Sequence, residues 1–234
     1  HAIGLSPFFA RTPADVVVIL SGTADGGEVV GALAAAIGET AALAVPGYLA
    51  GLAAGAGLAI VLTLAPRAAA VSMPFAIALR AVPIVTTAPL VVLLLGRGAV
   101  GGVALVAVMV FFPTLIACLE GLRRAPGQAL DVLRCYAAPP GVQLVRVRIP
   151  AMLPAFFAAA RMSVPAAVLA VTVVEWLALG SGVGSLMALA ASRSGYDLLA
   201  GAVVVVTALS ALGYALVSAV EARVLRVYAP EQAT

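Results

Sequence analysis

Long apolar runs, separated by short polar intervals, dominate the chain. A membrane-spanning helix needs about 20 predominantly apolar residues, and five runs are long enough. They cover 40–64, 68–95, 100–119, 151–179 and 198–220. The runs are continuous rather than alternating, which excludes the alternating strands of a membrane β-barrel. The pattern therefore predicts an all-α integral membrane protein with five visible transmembrane helices.

Composition supports this prediction and limits what else the chain can hold. Hydrophobic residues make up 64% and charged residues 10% of the 234 residues, and the mean hydropathy is +1.18. Soluble proteins contain about 45–50% apolar and about 25% charged residues. We therefore expect one transmembrane domain over 1–234. The net charge of +3 comes from arginines beside the spans, so we expect no nucleic-acid partner.

The residues that most often carry chemistry are scarce. The chain has no lysine, and its single histidine is His1. A P-loop needs a lysine at the nucleotide phosphates, so the sequence contains no conventional ATP site. It also contains no cluster with metal-ligand spacing. We expect a non-enzymatic chain with no catalytic residue, cofactor or metal of its own.

The polar interval 123–150 sets the expected orientation. Five of the thirteen arginines lie in it: Arg123, Arg124, Arg134, Arg146 and Arg148. The positive-inside rule places such an interval in the cytoplasm. Residues 1–39 and 180–197 are then external. Because the first visible span enters from outside, we expect a further span upstream of His1.

The same interval has a helical pattern of its own. Pro126 is suited to a helix start and Pro139 to a helix end. Between them Leu130, Leu133 and Ala137 recur at positions i, i+3 and i+7, which predicts one apolar stripe on a short surface helix. The run 145–149 alternates like a strand. We interpret it as the lead into the next span, since five residues are too few to decide by period.

The spacing in this interval resembles the cytoplasmic EAA loop of binding-protein-dependent ABC importer permeases. That loop reads Glu-Ala-Ala, three residues, Gly, nine residues, Ile, one residue and Leu-Pro. The matching positions here are Asp131-Val132-Leu133, Ala137, Val147 and Ile149-Pro150. The spacing agrees throughout, but the residue types differ, with Asp131 in place of Glu and Ala137 in place of Gly.

Further motifs extend the resemblance over nearly the whole chain, to the nitrate, sulfonate and taurine type of permease. They lie at 79–83, 88–90, 111–113, 149–154, Glu175 and 180–184. The resemblance implies a six-helix type I ABC importer permease fold, of which five helices are visible here. It also implies that 123–150 forms a cytoplasmic coupling helix.

The resemblance further implies a multi-pass transport subunit of the bacterial cytoplasmic (inner) membrane. A second permease subunit, identical or closely related, would pair with it among the membrane lipids. An external solute-binding protein would deliver the solute, and separate ABC ATPase subunits would bind ATP and Mg²⁺. The contacts with the ATPase would come from Asp131, Leu133, Arg134, Tyr136 and Ala137.

Several spans carry residues that a plain lipid-facing helix does not need. Gly47, Gly51 and Gly55 recur every four residues, a spacing that lets helix backbones approach closely. Pro83 and Pro89 interrupt the second span, and such breaks are tolerated where protein or a water-lined cavity satisfies the freed backbone groups. Candidate residues of a translocation pathway are Arg80, Thr86, Thr87, Arg161, Ser163 and Glu175.

The intramembrane charges have two interpretations each. A charge at the bilayer centre costs at least about 2.5–3.5 kcal/mol, so it faces protein or water. Arg80 and Arg161 would attract a small anionic solute such as a sulfonate, or would pair with helix carbonyls or a neighbouring acid. Glu175 would act as a gate or a contact for the binding protein, or would hold the following glycine-rich loop by a hydrogen bond.

Two other classes of protein compete with the importer subunit. A secondary transporter or channel with no ATPase subunit needs ion-coupling acids in mid-membrane, and the candidate, Glu175, lies near the end of its span. A non-transporting membrane scaffold has no need for spans broken by proline and carrying arginine. An ABC importer permease subunit is therefore the favoured prediction.

Overall fold

Four long apolar helices dominate the computed structural model, which describes residues 26–65, 67–68, 71, 74, 78, 89–90, 93–96 and 98–228. The helices are α1 (Gly26–Leu64), α2 (Ala99–Arg123), α3 (Gly127–Cys135), α4 (Pro140–Gln143), α5 (Ile149–Val174), α6 (Gly182–Ser192) and α7 (Tyr196–Tyr228). Two π-helical segments, Leu144–Arg148 and Glu175–Leu179, extend α5 at its two ends. Every element among the described residues is helical, which confirms the all-α membrane fold.

Four of the five predicted spans correspond to long helices. They are α1, α2, the continuous helical rod Pro140–Leu179 and α7, and each is long and apolar enough to cross a membrane. The remaining predicted span, 68–95, falls largely outside the described residues. The lead into the rod is confirmed as helical, because Leu144 is buried against Leu62, Leu122 and Met152.

The first helix begins earlier than the predicted start at Thr40. It starts at Gly26, because Leu33 and Ala36 are buried against Val183 of α6 and Ala202 of α7. These contacts extend the helix into the interval 1–39, which was predicted to precede the first span. At about 1.5 Å per residue, the 39 residues of α1 measure roughly 58 Å, about twice the hydrocarbon thickness. Its first turns can therefore stand outside the bilayer.

Helices α1 and α2 pack closely through glycines. Gly47, Gly51 and Gly55 all face α2, and a Cβ atom on Gly51 would lie 2.5 Å from the carbonyl oxygen of Ala107. No side chain fits in that space, so the backbones touch directly. The predicted close approach is confirmed, and its partner is a helix of the same chain.

Candidate docking helix and intramembrane polar sites

Helix α3 projects from the membrane-spanning helices and is held at its base by one apolar side chain. Leu130 is buried and Leu133 is half-buried. The opposite surface is open, with Val132 57% exposed and Tyr136 82% exposed. The predicted stripe is therefore only partly confirmed, because Ala137 is exposed and belongs to the turn that follows the helix.

That turn is a Schellman motif. The backbone N–H of Ala138 donates to the carbonyl of Leu133, and the N–H of Ala137 donates to the carbonyl of Arg134, both at 2.9 Å. Ala137 takes a left-handed conformation with φ of +50°, which costs an L-residue roughly 1–2 kcal/mol and which glycine adopts freely. It is the position at which the EAA loop carries glycine, so the turn forms here in spite of the substitution.

The remaining predicted coupling residues lie on the exposed surface of α3. Asp131 accepts a hydrogen bond from the Arg134 guanidinium at 2.9 Å, as their i, i+3 spacing predicts. Both side chains are well exposed, so the pair contributes only a few tenths of a kcal/mol. The structure thus brings Asp131, Leu133, Arg134, Tyr136 and Ala137 together on one projecting element.

Arg161 forms an ion pair between two membrane-spanning helices. Its Nη1 donates to Oε2 of Glu221 at 2.6 Å, and the side chains are 35% and 12% exposed. This is the neighbouring-acid interpretation of Arg161, with α7 supplying the acid. Sequence reasoning did not single out Glu221, although it is the only acidic residue between 198 and 228, which was the available signal.

Of four further predicted pathway residues, the structure describes one, Ser163. Ser163 is buried, and its hydroxyl has no hydrogen-bond partner among the described residues. On the preceding turn, the Tyr48 hydroxyl donates to the carbonyl of Ala160 at 2.8 Å and ties α1 to α5. Arg80, Thr86 and Thr87 lie outside the described residues.

Glu175 takes part in an unusual cap at the start of α6. Its Oε2 accepts from the backbone N–H of Gly184 at 2.9 Å. The preceding two amides are also taken, because Gly182 donates to Oε2 of Glu39 at 2.6 Å and Val183 donates to the hydroxyl of Thr40 at 3.0 Å. The first N–H groups of a helix have no partner within the helix. Here side chains from α1 and from the end of α5 supply hydrogen-bond acceptors for three of these N–H groups.

Glycine is required where α6 meets this cap. Gly182 has φ of +82°, and a Cβ atom there would overlap the Glu175 carboxylate. A Cβ atom on Gly184 would overlap the carbonyl oxygen of Thr172. The glycine-rich loop therefore lies directly against Glu175, and the geometry matches the interpretation in which this acid holds the loop.

The cap also determines what α6 can do chemically. Acidic side chains are favourable at the positive end of a helix dipole, and with Glu39 and Glu175 in place that end offers no site to an anion. Sequence reasoning missed Glu39 and Thr40. The available signal was isolation, since Glu39 is the only charged residue between 29 and 66.

Comparison with known proteins identifies the architecture. The family model described as "Binding-protein-dependent transport system inner membrane component" matches residues 47–226. A "Probable ABC transporter permease protein" of Haemophilus influenzae is 33% identical over 164 residues, which is 70% of this chain and 67% of that protein. A Bacillus subtilis permease named for aliphatic sulfonates transport, SsuC, is 30% identical over 173 residues, 74% of this chain and 61% of that protein.

A more distant relative is named for a different solute. The formylaminopyrimidine transport permease protein ThiX of Halalkalibacterium halodurans is 30% identical over 111 residues. That match covers 47% of this chain and 44% of ThiX. The chain therefore spans between about half and two thirds of the length of these relatives.

Proposed function

Because the chain belongs to the family of binding-protein-dependent transport system inner membrane components, we propose that it is the permease subunit that couples solute passage to a separate ATPase through α3. It is a multi-pass inner membrane protein. In the proposed importer it pairs with a second permease subunit and receives solute from an external binding protein. ATP and Mg²⁺ are bound by the partner ATPase, because this chain has no lysine for a P-loop.

The exposed end of α3 is the observation that carries this proposal. A tyrosine that is 82% exposed, beside a valine that is 57% exposed, is an apolar and aromatic surface of the kind that anchors protein interfaces. Leu130 ties α3 to the rest of the chain, and the Schellman turn at Ala137 ends it sharply. A short helix that is closed by a defined turn can transmit the movement of an ATPase to the membrane helices without bending.

The proposed solute is small and anionic. The resemblance to a permease named for aliphatic sulfonates supports this class, and Arg80 is the candidate that would attract the anion. Arg161 reaches a solute only when its ion pair with Glu221 opens, because that pair is neutral as it stands. Thr86, Thr87 and Ser163 would supply hydroxyl groups to the pathway, and Glu175 would hold its external end.

The coupling role is tested in the reconstituted importer with the double variant Leu133→Ala and Tyr136→Ala. We expect ATP hydrolysis to continue with the solute transported per ATP reduced at least about tenfold, while the permease folds normally. Val145→Ala is the control, because Val145 is also an exposed apolar residue of the interval 123–150, at 60%, but lies outside α3. Unchanged coupling in the double variant would refute the docking role, as would a functional complex that contains no P-loop subunit.

A further inference from the structure

An apolar groove lies between α1, α5 and α7. Its volume is about 450 Å³, within the range of about 300–1,000 Å³ of small-molecule sites. Residues that line it include Ala41, Tyr48, Val164, Val168, Leu212 and Leu216. Among the described residues of the lining, only Tyr48 has a polar side-chain group, and its hydroxyl is already bonded to the carbonyl of Ala160.

The lining determines what the groove can hold. A polar solute would lose its hydration there without gaining a hydrogen bond, which is costly. The walls are open to the surroundings, with Leu212 63% and Leu216 67% exposed. Because all three helices are membrane spans, a hydrocarbon chain is the chemistry that fits.

The groove continues along α7 to a free arginine. At about 100° per residue, Leu209, Leu212, Leu216, Val220 and Arg223 fall within an arc of about 80° on one helix face. Val220 is 52% exposed, and the Arg223 side chain is also exposed. Arg223 has no ion-pair partner among the residues that the structure describes.

The nearest acid on α7 does not neutralise this arginine. Glu221 lies about 200° around the helix from Arg223, on the side that faces α5, and its carboxylate is engaged by Arg161 at 2.6 Å. Arg223 therefore presents a positive charge that no described residue neutralises, at the end of an apolar track. An anionic head attached to a hydrocarbon chain complements this combination.

We propose that the groove holds one acyl chain of an anionic phospholipid whose phosphate is bound by Arg223. The length of the groove along α7 agrees with the thickness of one leaflet. Leu216 and Leu212 lie about 10 and 16 Å along the helix from Arg223, and half of the hydrocarbon layer is about 15 Å thick. A lipid with its head at Arg223 therefore places its chain against Leu212 and Leu216. Arg161 of α5 pairs with Glu221 of α7, while Val164 lies against Gly213, so the two helices run antiparallel. The C-terminal end of α7 is therefore on the same side as α3, and the lipid belongs to that leaflet.

The test measures lipid retention on the purified full chain by native mass spectrometry. The protein is first incubated with vesicles of either palmitoyl-oleoyl phosphatidylglycerol or palmitoyl-oleoyl phosphatidylcholine. We expect phosphatidylglycerol to be retained about fivefold more strongly, the effect of one arginine near a membrane surface. Arg223→Gln should abolish that preference, and Arg146→Gln should preserve it, because Arg146 is exposed on the same side but lies off α7.

The groove itself is tested by Ala41→Leu, which places a larger side chain into the groove. We expect weaker retention of both lipids with the phosphatidylglycerol preference unchanged. A preference that survives Arg223→Gln, or that falls equally in Arg146→Gln, would overturn the proposal. So would efficient cross-linking between two copies through Leu212→Cys in a Cys135→Ser background, because a second copy would then cover the groove.

Discussion

The backbone N–H of Gly182 donates a 2.6 Å hydrogen bond to the carboxylate of Glu39, which lies 143 residues earlier in the chain. This bond joins the start of α6 to α1. The next two amides of α6, those of Val183 and Gly184, donate to the Thr40 hydroxyl and to the Glu175 carboxylate. The short helix α6 is thereby fixed to two membrane spans by hydrogen bonds rather than by burial alone. Its position depends on side chains that belong to other helices.

Removal of the Glu39 side chain should therefore loosen α6. We expect Glu39→Ala to lower the free energy of unfolding by about 1–2 kcal/mol, the range found for the loss of a helix-capping side chain. Glu39→Gln should cost less, because its amide oxygen still accepts the bond from Gly182. Thermal unfolding of both variants in the same detergent measures the difference. If Glu39→Ala and Glu39→Gln are equally stable, the hydrogen bond that Gly182 donates to position 39 contributes nothing to stability.

The close contact at Gly184 makes a second prediction. A Cβ atom there would overlap the Thr172 carbonyl oxygen and lie 2.8 Å from Cβ of Glu175, so Gly184→Ala should cost about 2–3 kcal/mol by overpacking. The control is Gly180→Ala in the same loop. Gly180 has φ of +70° but open space around it, so this change should cost only about 1 kcal/mol of backbone strain.

The unfolding temperature and the yield of folded protein are measured for both variants, Gly184→Ala and Gly180→Ala. If Gly180→Ala proves as damaging as Gly184→Ala, backbone strain rather than packing against Thr172 dominates the loop. That result would remove the steric explanation for the glycine-rich sequence.

The glycine that the EAA loop carries is missing at Ala137, and restoring it should stabilise the turn. Ala137 is held at φ of +50°, so Ala137→Gly relieves the strain and should raise the free energy of unfolding by about 1 kcal/mol, or the unfolding temperature by about 2–4 °C. Ala138→Gly is the neighbouring control, because Ala138 is not in the left-handed region. It should bring no gain. A loss of stability in Ala137→Gly would contradict the left-handed conformation.

Local patterns predicted most of the fold, and they failed where partners are distant in the chain. Apolar length alone located four of the five predicted spans, because a helix is the structure that satisfies its own backbone in lipid. Helix α3 was predictable from local sequence, because Pro126 and Pro139 bound it and its apolar residues recur at helical spacing. The isolation of Glu39 marked it as unusual but did not identify its partner, since Gly182 is brought near only by the packing of α1 against α6 and α7. The strain at Ala137 was indicated only by the resemblance, in which that position carries glycine, because the bonds that close the turn set the residue's φ.

The ion pair between Arg161 and Glu221 should depend on complementary charge rather than on either residue alone. Each single change, Arg161→Glu or Glu221→Arg, places two like charges together between spans, and removing a partner from a buried pair costs about 3–5 kcal/mol. Arg161 is 35% exposed, so we expect a smaller loss of about 2 kcal/mol and a reduced yield. The double exchange should recover most of the stability, because the 2.6 Å contact can form in reverse.

Unfolding temperatures of the two single variants and the exchange, measured with transport in the reconstituted complex, separate two roles for this pair. Recovery of both stability and transport in the exchange means that the pair only fastens α5 to α7. Recovery of stability without transport of the anion means that a guanidinium is needed at position 161 itself. If the exchange restores neither, the two side chains do not act as a pair in the membrane, and the contact seen between α5 and α7 has no energetic weight.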